Sequence, residues 1–128
     1  MSENLEKKIF LISPVRDRDK LPKEEQDFIR NYVNDLIKKG HKVHDPYYNT
    51  FQNDPIGVDI CTQNRDAIRN SDEIHFYWSP TSGGSKFDFG MAFMIDKPVK
   101  FVNKDQIPRT PSKSFENVLH ELDAKYGL

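Results

Sequence analysis

One acidic residue, Asp88, follows a turn rich in serine and glycine and is the chain's leading candidate for chemistry. The turn, SGGS at residues 82–85, comes after the apolar run 73–78 and precedes an apolar segment that ends before Lys97. Backbone N–H groups at the start of a helix, together with the helix dipole, bind anions. A carboxylate in the first turn of such a helix is held ionised and can act as a nucleophile or general base. The pattern indicates chemistry on a small molecule that carries a phosphate or a sugar.

A structural role explains the same residues equally well on spacing alone. If Ser85 is the N-cap, Asp88 is the third helical residue, and a capping box would turn its carboxylate back to the Ser85 backbone. The 82–85 turn can also be an ordinary flexible connection, because a single Gly-Gly pair is weak support for a phosphate site. Its position between a strand and a helix favours phosphate binding.

Two further polar residues stand where they could contact a ligand. Arg16 directly follows the first apolar run, and a guanidinium there can bind a phosphate or carboxylate with two hydrogen bonds. The alternative is a solvated charge paired with Asp17 or Asp19, which is the more frequent fate of such residues. Asn64 lies in a predicted helix and could reach a ribose hydroxyl.

The histidines and the single cysteine do not follow a metal-ligand spacing. The residues concerned are His41, His44, His75, His120 and Cys61. We therefore expect no metal site, and no cofactor, since the chain also has no Walker A pattern and no G-x-G-x-x-G after its first strand.

Length and charge exclude several classes of protein. A chain of 128 residues is expected to form one domain over residues 1–128. A formal net charge of -1 argues against a nucleic-acid-binding surface, which is usually basic. No apolar run is long enough for a bilayer span, and the N-terminus lacks the apolar core of a signal peptide. A lone cysteine cannot form an internal disulfide, so we expect a cytoplasmic location without membrane contact.

Hydrophobic periodicity predicts four strands that alternate with four helices. The predicted strands are residues 8–15, 41–47, 73–78 and 97–103, and the predicted helices are residues 21–39, 58–70, 85–95 and 114–126. This order predicts a flavodoxin- or Rossmann-like doubly wound α/β sheet of four or five mainly parallel strands, with helices on both faces. Ligands bind such sheets beyond the carboxyl ends of the strands, where loops 13–18, 47–57 and 79–85 should converge.

With these motifs in place, the chain resembles the nucleoside 2-deoxyribosyltransferase superfamily, which includes nucleoside 5'-monophosphate N-glycosidases. The resemblance covers about residues 8 to 103. It rests on ISPVR (12–16), QNRDAIRNSD (63–72), and TSGGSKFDFGMA (81–92) followed by KPV (97–99). The last block is the most specific, since family members have a serine/glycine loop, then aromatic-Glu-Leu-Gly-x-Ala, then Lys-Pro or its equivalent.

The resemblance implies catalytic roles for two residues. In the family, the glutamate attacks C1' of the sugar and forms a glycosyl-enzyme, and a nucleobase or water completes transfer or hydrolysis. Asp88 takes the nucleophile's position with a side chain shorter by one methylene. Asn64 falls where the family usually has an aspartate that orients the sugar or the leaving base. A displacement of ~1 Å at a reacting centre can reduce the rate on the order of 100-fold.

The resemblance also implies a binding site for the substrate's phosphate. Arg16, Ser82 and Gly84 take positions that hold a 5'-phosphate in the monophosphate hydrolases. Ser13 and Ser85 belong to the same loops and are predicted with them to contact the substrate. Family members are commonly homodimers or larger, with each site completed by a neighbouring subunit.

Three functional hypotheses follow. The first is cleavage or transfer at the N-glycosidic bond of a nucleoside or nucleoside 5'-monophosphate through Asp88. The second is a catalytically weak or inactive module of the same fold that binds or senses nucleotides. The third is a structural or interaction protein without a pocket. Glycohydrolase chemistry on a dinucleotide such as NAD is a related possibility that nothing in the sequence selects.

Overall fold

Four parallel strands form the sheet of the computed structural model, which describes residues 5–128. The strands are β1 Lys8–Ile12, β2 Lys42–His44, β3 Glu73–Phe76 and β4 Val99–Phe101, in the order β2-β1-β3-β4. Phe10 lies opposite both His44 and Ile74, and Phe76 lies opposite Phe101. The predicted parallel α/β sheet is therefore confirmed, with four strands in this part of the chain.

Helices cover both faces of this sheet. They are α1 Lys23–Lys38, α2 Pro46–Asn49, α3 Val58–Arg69, α4 Gly83–Met94 and α5 Phe115–Tyr126, and single 3-10 turns span Arg18–Lys20 and Lys104–Gln106. Successive side chains of β1 point to opposite faces: Phe10 and Ile12 join the cluster under α3, α4 and α5, whereas Leu11 packs with Ile29 of α1. All of these β1 side chains are buried, as expected for a strand covered on both sides.

Polar residues end the strands earlier than the apolar pattern predicts. The second strand stops at His44, because Asp45 caps the short helix α2 by accepting a hydrogen bond from the Tyr47 N–H, with Pro46 at the first helical position. The predicted strand 41–47 is wrong in its second half for this reason. The final helix agrees with prediction, and its N-cap, Ser114, accepts from the Asn117 N–H.

In residues 5–128, every helix is too short or too polar to cross a membrane.

Candidate active site

A cavity of about 360 Å³ opens beyond the carboxyl ends of β1 and β3. Its wall includes the loop after β1, one side of α3, and the first turns of α4. The predicted site residues that line it are Ser13, Arg16, Asn64, Ser82, Gly84, Ser85 and Asp88. The cavity is within the usual size range of small-molecule sites. The structure thus brings all seven residues together, and their individual roles stay predictions.

The first turn of α4 has the geometry of an anion site. Ser82 is the N-cap: its Oγ accepts from the Ser85 N–H at 3.3 Å and lies 2.6 Å from the Ser85 Oγ. The N–H groups of Gly83 and Gly84 are at the first helical positions, where helices have no internal acceptor. A Cβ built on either glycine would meet no atom within 4 Å, so the backbone here faces open space that a ligand can approach.

Asp88 does not occupy the helical position predicted for it. The N-cap is Ser82 and not Ser85, so the helix starts earlier and Asp88 lies five residues after Gly83, in the second turn. The alternative of a capping box between Ser85 and Asp88 is therefore wrong, because the Ser85 N–H is satisfied by Ser82. The expectation that the helix dipole holds the carboxylate ionised is also wrong, since that effect fades beyond the first turn.

Burial dominates the electrostatics of Asp88. Partial enclosure by the cavity wall raises the pKa of the Asp88 carboxyl to about 7, and the side-chain amide of Asn64 opposes this shift. Both the ionised and the protonated form of Asp88 are therefore populated near neutral pH. Burial also raises the pKa of the Cys61 thiol, with a smaller contribution from the negative charge of Asp88. The Asp88 carboxyl in this cavity can therefore gain or lose its proton near neutral pH.

The fold is shared with two solved enzymes. No family model and no curated protein matches the sequence. A 2-deoxyribosyltransferase from the psychrotolerant bacterium Bacillus psychrosaccharolyticus superimposes with a TM-score of 0.59 at 18% identity, over 94% of this chain and 96% of that one. The CMP N-glycosidase BcmB of Clostridium botulinum superimposes with a TM-score of 0.59 at 21% identity, over 94% and 82%. The chain has the nucleoside 2-deoxyribosyltransferase fold. The predicted resemblance is confirmed at the level of architecture.

Within this 2-deoxyribosyltransferase fold, Asn64 is held by a residue that the sequence did not indicate. Asn64 is buried on α3, and its Oδ1 accepts a hydrogen bond of 2.7 Å from the hydroxyl of Thr50. Thr50 directly follows α2, and its Oγ1 also lies 2.8 Å from the Nε2 of His44. The threonine was missed because it stands in a polar loop with no periodic pattern.

Arg16 is exposed at the cavity, and its expected ion-pair partners are engaged elsewhere. Asp17 lies 3.9 Å from the Lys20 amine, and Asp19 accepts a hydrogen bond from the Tyr47 hydroxyl. The guanidinium of Arg16 is therefore available to a ligand in the cavity that it lines.

Arg18, two residues further on, has the opposite environment. Its side chain is buried and forms an ion pair of 2.9 Å with the equally buried Asp45. It also donates to the Ser13 hydroxyl at 2.7 Å and to the Pro14 carbonyl at 2.9 Å. Arg18 thus ties the loop after β1 to the start of α2. Alternating Arg and Asp residues at 16–19 gave no sign of which arginine would be buried.

Among residues 5–128, no three His, Cys, Asp or Glu side chains are grouped so that they could hold a metal ion.

Proposed function

We propose that this chain cleaves or transfers at the N-glycosidic bond of a nucleoside or nucleoside 5'-monophosphate, with Asp88 as the nucleophile. The observation that supports it best is the shared cavity of Asp88 and Arg16, which joins a carboxylate to a cationic group beside a helix N-terminus. The two solved neighbours, a 2-deoxyribosyltransferase and a CMP N-glycosidase, both act on N-glycosidic bonds of this class.

The proposed reaction proceeds in two displacements. An oxygen of ionised Asp88 forms a bond to C1' of the sugar while the C1'–N bond breaks, and the departing base retains the electron pair and takes a proton. Water or another nucleobase then attacks C1', breaks the bond to Asp88 and restores the carboxylate. Asn64, on the same cavity wall, would orient the sugar or the leaving base.

A phosphate subsite at the start of α4 would hold the substrate in place. Arg16 supplies a positive charge, and the N–H groups of Gly83 and Gly84 supply donors. One hydroxyl of the Ser82–Ser85 pair can donate as well, since their mutual hydrogen bond uses only one of the two protons. These groups are preformed, so binding a phosphate there requires little reorganisation. Binding energy from this part of the substrate can then hold C1' near the nucleophile.

The direct test is base release by the purified protein. Incubation with a panel of ribo- and deoxyribonucleoside 5'-monophosphates, followed by chromatographic separation of free bases, should show turnover that Asp88→Ala abolishes. Asp35→Ala is the matched control, because Asp35 is an exposed surface residue on α1 paired with Lys39. Turnover equal in Asp88→Ala and the native protein would refute the proposal.

A nucleotide-binding module without turnover is the second candidate function. It is favoured by the short side chain of Asp88 and by burial, which raises its pKa to about 7 and leaves part of the population protonated at neutral pH. This candidate predicts that nucleotides raise the Tm without base release. The Tm increase should persist in Asp88→Asn and disappear in Arg16→Ala. An unchanged Tm across the nucleotide panel would exclude it.

We also infer a homo-oligomer in which a second copy packs on the outer face of α4. Phe87 and Met94 are 56% and 81% exposed on this helix, and Phe87 also lines the mouth of the cavity. A second copy bound there would lie beside the site. Light scattering should give a mass of at least two chains, and Met94→Glu should lower it toward one. A monomer at high protein concentration would contradict the inference.

The cytoplasmic location expected from the sequence stays a prediction.

A further inference from the structure

A chain of two hydrogen bonds, one part-buried and one buried, leads from β2 to the cavity through Thr50. Its hydroxyl has one proton, which it donates to Asn64 Oδ1 at 2.7 Å. The contact of 2.8 Å between Thr50 Oγ1 and His44 Nε2 must then have the histidine as donor. Burial lowers the pKa of His44, which favours a neutral ring, and a ring that donates in this contact has its proton on Nε2. With Thr50 donating to Asn64, His44 is the donor to Thr50, and the two hydrogen bonds run in one direction toward the cavity.

The direction of these bonds decides which end of the Asn64 amide faces the cavity. An asparagine has a carbonyl oxygen that only accepts and an NH2 group that only donates. Because the oxygen of Asn64 is taken by Thr50, the NH2 group is the end left for the cavity that Asn64 shares with Asp88. Rotating the amide by half a turn would set its oxygen against the Asp88 carboxylate and lose the hydrogen bond by which the Asn64 side chain lowers the pKa of Asp88. It would also turn the NH2 group toward Thr50, whose hydroxyl would then have to accept from Asn64 and donate to His44 instead.

We propose that Thr50 is a positioning residue, whose hydroxyl holds the Asn64 amide with its NH2 group toward Asp88 and thereby favours the ionised, nucleophilic carboxylate. Thr50 does not line the cavity itself, so it acts only through Asn64. The effect on turnover rests on the proposed function. The effect on the Asn64 orientation does not.

The other titratable groups around Asp88 are not connected to Thr50, so only Asn64 can transmit a change at Thr50 to the Asp88 carboxyl. Cys61 on α3 has a thiol whose pKa is raised, so it stays neutral near pH 7. From the loop after β1, Arg16 and Asp17 also line the cavity and bring opposite charges. Replacing Thr50 alters none of these groups, so a change in Asp88 titration would report the Asn64 amide.

The test compares Thr50→Val with Thr50→Ser. Thr50→Val keeps the shape and removes the donor, whereas Thr50→Ser keeps the donor. Thr62→Val is the matched control, because Thr62 is an exposed α3 residue whose hydroxyl donates to the Val58 carbonyl. We expect Thr50→Val to lower kcat about tenfold, as for loss of a hydrogen bond to a charged group, and to raise the midpoint of the acidic limb of the pH profile. Thr50→Ser and Thr62→Val should match the native protein.

Two results would overturn the role of Thr50. One is an unchanged pH midpoint in Thr50→Val, and the other is equal impairment in Thr50→Ser. Carbon-13 NMR titration of the Asp88 carboxyl measures the same midpoint without turnover. If the native protein releases no base, the proposed function fails, while the titration still decides the positioning role.

A measurement on the native protein covers the case in which Thr50→Val does not fold. The side-chain amide resonances of Asn64 should shift with pH at the same midpoint as the Asp88 carboxyl. If the Asn64 amide chemical shifts do not change as Asp88 titrates, the NH2 group does not face the carboxylate, and the proposal is wrong.

Discussion

Arg16 and Asp88 line the same cavity, although one comes from the loop after β1 and the other from α4. A nucleoside 5'-phosphate carries its phosphate and its glycosidic carbon on one furanose ring. A cationic group and a carboxylate in a single cavity of about 360 Å³ therefore match the two ends of the sugar phosphate that the proposed reaction must engage. This pairing sets the predictions for pH and for substrate preference.

Turnover should rise with pH through the neutral range. Only ionised Asp88 can attack C1', and its pKa is raised to about 7 by burial. A plot of kcat/KM for base release between pH 5 and 9 should therefore show an acidic limb with a midpoint near 7 and a plateau above it. A midpoint near 4, the ordinary value of an aspartate, would contradict the burial of this carboxyl.

The same carboxyl should make the folded protein less stable at high pH. Because the Asp88 pKa is about 7 when folded and near 4 when unfolded, the folded state binds more protons between these values. Its contribution to stability is therefore greatest below pH 4 and is lost as pH rises through 7. Asp88→Asn should raise the free energy of unfolding at pH 8 by on the order of 1–2 kcal/mol, allowing for partial solvent exposure.

Denaturant unfolding at pH 8 and pH 4 checks this sign. The gain from Asp88→Asn should be present at pH 8 and absent at pH 4, where the native carboxyl is already protonated. Asp35→Asn on the surface of α1 should change little at either pH. A gain that is equal at both pH values would show that the substitution acts through packing and not through ionisation.

The sequence predicts the sheet well because apolar runs report burial directly. The run 9–12 is buried on both faces of β1, and an unbroken apolar segment is the pattern of such a strand. Helix starts are harder to predict, because the 82–85 turn contains two serines and either can cap. Ser82 is the cap in the structure, which moves Asp88 from the first turn to the second.

The buried contacts of Arg18 and Thr50 were the part of the site that the sequence did not reveal. Arg16 and Arg18 have the same local composition, and only the tertiary contact with Asp45 on the loop after β2 separates the exposed one from the buried one. Thr50 is likewise defined by its contact with Asn64, fourteen residues away. Such pairings depend on how loops meet, and no periodicity encodes them.

Arg16 should matter for phosphorylated substrates alone. Arg16→Ala removes a charge-assisted hydrogen bond to the phosphate, and we expect KM for a nucleoside 5'-monophosphate to rise about 10- to 100-fold. KM for the matching unphosphorylated nucleoside should stay within about twofold. Lys20→Ala is the matched control, since Lys20 is a highly exposed cation of the same loop. Equal losses for both substrates in Arg16→Ala would place the phosphate elsewhere.

The buried pair of Arg18 and Asp45 should be important for folding. Arg18→Met would leave Asp45 buried without its cation and the Ser13 hydroxyl without its donor, so we expect a loss of about 3–5 kcal/mol in the free energy of unfolding. Arg30→Met, in the exposed pair with Asp27, should cost below about 1 kcal/mol.

A double substitution separates the ion pair from the packing around it. Arg18→Met combined with Asp45→Asn removes both charges, keeps a cap for α2, and should be less destabilised than the sum of the two single variants, because neither charge is then left buried alone. Urea unfolding of the four proteins gives this coupling directly. If the double variant loses as much free energy of unfolding as the two single variants together, the ion pair itself adds no stability. Arg18 would then stabilise the loop only through its contacts with Ser13 and Pro14.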